Sequence, residues 1–152
     1  MNKSKVVLTA SAVFLSAALA VAFFLPQEKT NTANSSEVYT WDCEYPEVKP
    51  GAITLTCADG GQYIDGISWQ TWGSTGAQGT GTYHVNDCDP NCAEGEFLSA
   101  EVEVSLSDLT EYQGQNYLRT MSMKTLNGEN LPESGQNTYE WDVMEFAEMM
   151  AE

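Results

Sequence analysis

From Phe97 to Leu109 the chain reads FLSAEVEVSLSDL, and within it Val102, Val104 and Leu106 alternate with Glu101, Glu103 and Ser105. A period of two, apolar on one side and carboxylate on the other, is the pattern of a β-strand with one face buried and one in water. Other stretches repeat it. AITLTC sets Ile53, Leu55 and Cys57 against Thr54 and Thr56. NYLRTMSMKTL divides into two sets, and Tyr117, Arg119, Met121, Met123 and Thr125 are assigned to the core face. QYIDGISWQTW and GTGTYHV are rich in β-formers, and TYEWDV reads as a last strand to about Val143, with a helical or frayed end after it. Asn127-Gly128 is a hairpin-type turn signal within the loop LNGENLPESGQN. No long helical periodicity runs through this region. Half-buried strands with polar partners belong to antiparallel sheets. The predicted class is therefore all-β, a small antiparallel sandwich or barrel of about six to eight strands.

The N-terminus sets the compartment. Lys3 and Lys5 precede Val6–Leu25, 20 residues without a charge. Such a run is long enough to cross about 30 Å of hydrocarbon as a helix, with its basic end in the cytoplasm. Two readings stand: a signal peptide cut after Ala18, Leu19 and Ala20, or an uncut signal anchor, since the apolar run continues through Leu25. Either places residues 26–152 outside the cytoplasm, extracellular or membrane-anchored through residues 6–25. The first cysteine is Cys43, too far from the run for lipidation. Residues 26–40 are polar and read as a flexible spacer; Asn34, Ser35 and Ser36 match a glycosylation sequon. Residues 41–152 remain as one small domain.

That domain holds 20 acidic side chains against Lys49, Arg119 and Lys124, a net charge of −17. A field of that sign repels nucleic-acid phosphates and anionic lipid, so nucleic acid is excluded as a partner. The partners it attracts are cationic: a basic protein or cell-surface component, a polyamine or a metal ion.

Four cysteines in an exported domain suggest two disulfides, with three possible connectivities. Asp89, Pro90 and Asn91 form a turn sequence between Cys88 and Cys92. The expected pairs are thus Cys88–Cys92 and, by remainder, Cys43–Cys57. The segment HVNDCDPNCAEGE, His84–Glu96, also invites a metal reading, with Asp87, Asp89, Asn91 and Glu94 as calcium ligands. An EF-hand loop starting at Asp87 fails at its sixth position, where Cys92 replaces glycine, and at its twelfth, where Leu98 replaces glutamate. A stapled turn is the preferred reading and no metal or cofactor is expected. Zinc would need thiolates that an oxidising compartment does not leave.

Catalytic arrangements find little support. His84 is the lone histidine, there is no Gly-x-Ser-x-Gly elbow, and carboxylates are too abundant for any pair to stand out. The expectation is not an enzyme. Trp69 and Trp72, three apart, fall on opposite faces of a strand unless a bulge intervenes, and they are the first guess for a binding face. Glycines at 73, 76, 79 and 81 suggest a bent or closely packed segment and form no phosphate-binding loop.

A motif series runs through residues 53–97: Cys57 and Asp59, then Trp69, Trp72 and Gly73, then Ala77, Gly79, Gly81 and Thr82, then Asn86, Cys88, Pro90, Cys92, Ala93 and Gly95. It resembles a family of small exported actinobacterial proteins of unassigned function. The resemblance implies an exported, disulfide-bearing β domain and names no substrate. The expectation from sequence is thus an exported, membrane-tethered β domain with a binding or structural role at the cell surface. The alternatives are a calcium-stabilised surface module and a small secreted carboxylate-dependent hydrolase.

Overall fold

The computed structural model describes residues 37–151. The export or anchor segment at 6–25, its cleavage site, the sequon and most of the spacer lie outside the described residues. Among the described residues, no helix is long and apolar enough to cross a membrane.

Residues 37–151 hold eight strands and one short helix, in the order β1 (Val38–Asp42), β2 (Tyr45–Glu47), β3 (Ile53–Thr54), β4 (Gln62–Gly73), β5 (Gly76–Asn86), β6 (Phe97–Tyr112), β7 (Gln115–Thr125), β8 (Thr138–Asp142) and α1 (Glu145–Met150). They form one curled sheet ordered β2-β1-β7-β6-β5-β4-β3, with β8 also paired to β7. The sheet is mixed, which corrects the expectation of a purely antiparallel one: β1 runs parallel to β7, with Val38 opposite Asn116 and Tyr39 opposite Tyr117. Strands joined by tight turns must be antiparallel, but β1 and β7 are far apart in sequence and no hairpin dictates their direction. β8 pairs with the other half of β7, from Thr120 to Lys124. The domain boundary also moves. β1 takes up residues 38–40 of the expected spacer, because Val38 and Thr40 turn into the core and are fully or almost fully buried.

Alternation places the core. On β5 Ala77, Gly79, Gly81, Tyr83 and Val85 face inward, and on β6 Val102, Val104 and Leu106 do. On β7 Tyr117, Met121, Met123 and Thr125 are buried as expected; Leu118 is buried too, and Arg119 is only half-buried. β4 departs from a simple alternation. Its register against β5 slips between Asp65 and Ser68 and again between Trp69 and Thr71. Each slip inserts one residue and re-aims the side chains beyond it. The small residues of β5 leave room for the bulky ones of β4: a Cβ on Gly79 would lie 3.0 Å from the Trp69 ring, and one on Gly81 would lie 3.0 Å from Ile64 and 2.9 Å from the Asp65 carbonyl oxygen.

The long β6–β7 hairpin turns through Gln113 and Gly114, both at positive φ, the conformation that suits a two-residue hairpin loop. Asn127-Gly128 turns within the expected loop, which joins the antiparallel strands β7 and β8; Gly128 is at positive φ and the Asn127 side chain accepts a bond from the Glu129 N–H. At the C-terminus Arg119 fastens α1. It donates to both carboxylate oxygens of Glu148, at 2.7 and 2.9 Å, and through Nε and Nη2 to Asp142 Oδ2, at 2.9 and 2.6 Å. These bonds, that to Glu148 foremost, hold the guanidinium above its ordinary pKa.

Candidate functional site

The His84–Glu96 segment is built as a stapled turn. Cys88 and Cys92 are joined, and side chains around them bond to backbone. Asn86 Oδ1 accepts from the Cys88 N–H at 2.8 Å. Asp87 Oδ1 accepts from the N–H groups of Asp89 and Glu96, at 3.1 and 3.0 Å. Asn91 Oδ1 accepts from Ala93 N–H, and Asn91 Nδ2 donates to Glu94 Oε2 at 2.7 Å. Asp87, Asn91 and Glu94, three of the four candidate calcium ligands, thus serve as turn-formers through oxygens already committed. Among the described residues no group of three or more His, Cys, Asp or Glu is placed to hold a metal ion. The turn is tight enough to require glycine at position 95, where a Cβ would collide with Asn86 Oδ1 and lie 2.8 Å from the Cys88 nitrogen.

Beside the staple lies an open cleft of about 470 Å³, walled by Phe97 and Ala93 and carrying Asp59, Gln62 and Asn86. The Gly61 N–H, 2.9 Å from Asp59 Oδ1, and then the Thr56 hydroxyl hold that carboxyl below its ordinary pKa.

His84 sits on the outward face of β5 and gains a partner that sequence reasoning missed. Its Nε2 lies 3.0 Å from Asp65 Oδ1 on β4. Its ring stacks on Tyr63 at 4.7 Å, and Tyr63 meets Phe97 edge-on at 5.6 Å. Tyr63 is directly opposite His84 in the ladder, and Asp65 lies further along on the same face. No local motif could have shown this, because the contact exists only once the register is known.

Trp69 and Trp72 come together on one side of β4. The extra residue between Trp69 and Thr71 cancels the change of face expected from a spacing of three, so Trp69 faces Gly79 and Trp72 faces Ala77. The two rings meet edge-on at 4.9 Å and pack against the core. Both indole N–H groups are used internally: Trp69 donates to Pro50 O at 2.8 Å and Trp72 to Val38 O at 2.9 Å. The pair expected to form a binding face thus ties β4 to the N-terminal segment.

Cys43 and Cys57 form the second disulfide, with Cα atoms 5.4 Å apart, and no described cysteine is free. This bond links the end of β1 to the segment after β3, and next to it the Thr54 N–H donates to Asp42 Oδ1 at 2.8 Å. Between the disulfide and α1 is a cavity of about 160 Å³, lined in part by Trp141, Phe146, Met149 and Glu145. Sequence reasoning gave no hint of it, since its walls come from the two ends of the domain.

No protein-family model, no curated protein and no solved structure matches the chain.

Proposed function

We propose that the chain is an exported, membrane-tethered acidic β domain that works at the cell surface by binding a cationic partner, without turnover. The observation that carries this reading is the cysteine usage: all four are spent on two disulfides, which persist in oxidising compartments and not in the cytosol. The apolar segment at 6–25 and the motif series from Cys57 to Gly95 point the same way. The charge supplies the partner's sign. Of the three cations in residues 41–152, Arg119 is taken up by Asp142 and Glu148, which leaves Lys49 and Lys124 against a broad excess of carboxylates. Such a field speeds encounter with basic partners and repels acidic ones.

The test is topology and redox state in cells expressing the full chain. Thiol-reactive polymer should label nothing until reductant is added, and protease applied to cells with a permeabilised outer layer should digest the domain. Cytosolic recovery with reactive thiols overturns the reading.

A further inference from the structure

We propose that the cavity between the Cys43–Cys57 disulfide and α1 seats one arginine side chain of a cationic protein partner; this deepens, and rests on, the binding role above. At about 160 Å³ the cavity is smaller than the roughly 300 Å³ at which small-molecule sites begin, and suits a single side chain. Its walls are mostly apolar: the disulfide, Val143, Trp141, Phe146 and Met149. Such walls take the aliphatic stem of arginine, and an indole face takes a guanidinium better than it takes an ammonium.

The charges at the cavity are not equivalent. Asp142 also lines it, but Asp142 and Glu148 are engaged by Arg119, and Asp142 Oδ1 also accepts from the Met144 N–H. Glu145 lines the same cavity, is exposed, and has no partner among the described residues. It is the carboxylate left for an incoming cation. Met149, which lines the same cavity one helical turn on, is 62% exposed. Flexible thioether side chains of this kind adapt to a partner surface, and a well-walled pocket filled by arginine is a common energetic centre of an interface.

The test uses the full chain in detergent and a fluorescent Gly/Ser peptide carrying three arginines, read by anisotropy, with the same peptide carrying citrulline as the neutral isostere. Glu145→Gln and Met149→Ala probe the cavity. Glu103→Gln, on the outward face of β6, removes the same charge elsewhere. The arginine peptide is expected to bind in a salt-sensitive way and the citrulline peptide at least about tenfold more weakly. Glu145→Gln is expected to weaken binding about two- to fivefold, the range for an exposed ion pair, with Met149→Ala weakening it as well and Glu103→Gln close to wild type. Equal effects of Glu145→Gln and Glu103→Gln, or none from either, overturn the cavity and leave the cationic-partner reading standing. Equal binding of the citrulline peptide overturns the arginine. Absence of binding by both peptides at low salt overturns the cavity and the cationic partner together.

Discussion

Cys43–Cys57 and Cys88–Cys92 are the same bond in two settings. The first is half-buried and joins the end of β1, next to one edge of the sheet path, to the segment after β3, the strand at the other edge. The loop it closes is held further by Trp69 on Pro50 O and by the Ile67 N–H on Gly51 O at 3.0 Å. The second is exposed and closes a turn that already carries its own side-chain bonds. Loop length separates the two only weakly: chain entropy assigns about 3 kcal/mol to a loop the size of the first and about 2 kcal/mol to one the size of the second. Most of the difference must come from what opens when each bond is cut. Cutting the first frees the sheet ends over the core; cutting the second frees a solvated turn.

The largest expected effect comes from removing the first bond. Cys43→Ser/Cys57→Ser should cost about 3–5 kcal/mol, a fall of well over ten degrees in Tm by calorimetry. Gly79→Val comes next, since it presses on the Trp69 ring that holds Pro50; about 2 kcal/mol should be lost in urea melts, with the Trp69 fluorescence environment altered. Cys88→Ser/Cys92→Ser should cost about 1–2 kcal/mol, no more than the chain-entropy value, because the turn keeps its own side-chain bonds. Equal losses from the two disulfides would break the comparison.

A smaller effect is expected at Asp59, close to the second staple. Its folded pKa is depressed, so its contribution is present above the ordinary value of 3.8 and is lost as pH falls through the lowered folded value. Asp59→Asn should flatten the acid limb of the stability curve and lower the curve above pH 6 by a small constant amount, without changing its slope there. Smallest of all, millimolar calcium against chelator should leave Tm unmoved. A rise of many degrees, abolished by Asp87→Asn/Asp89→Asn, would make the turn a metal site.

Whether a feature was legible in the sequence depended on whether it is local. β6 announced itself because Val102, Val104 and Leu106 face the core while Glu101 and Glu103 face water, and a single-faced strand writes that period into its sequence. β4 did not, because two inserted residues reset its phase and put Trp69 beside Trp72. The stapled turn was legible because Asp and Asn side chains close turns on nearby backbone, as Asn86, Asp87 and Asn91 do here. The His84–Asp65 contact, the Arg119 clamp on α1 and the cavity at Trp141 were not, since each joins residues brought together only by the tertiary fold. The parallel β1 escaped for the same reason: nothing in VYTWD states which strand lies next to it.

The placement of β1 has a consequence in time. Its parallel partner, β7, contributes Asn116 and Tyr117, more than seventy residues further along, whereas Cys43 and Cys57 are separated by only 14. A chain emerging N-terminus first presents the two cysteines long before β7 arrives. Local closure precedes long-range pairing wherever loop entropy governs the order. A disulfide closed at that stage would anchor the first strand in its eventual neighbourhood while the strand it must pair with is still unmade, and the β1–β7 contact would become a search by one end of the chain for a waiting, tethered edge.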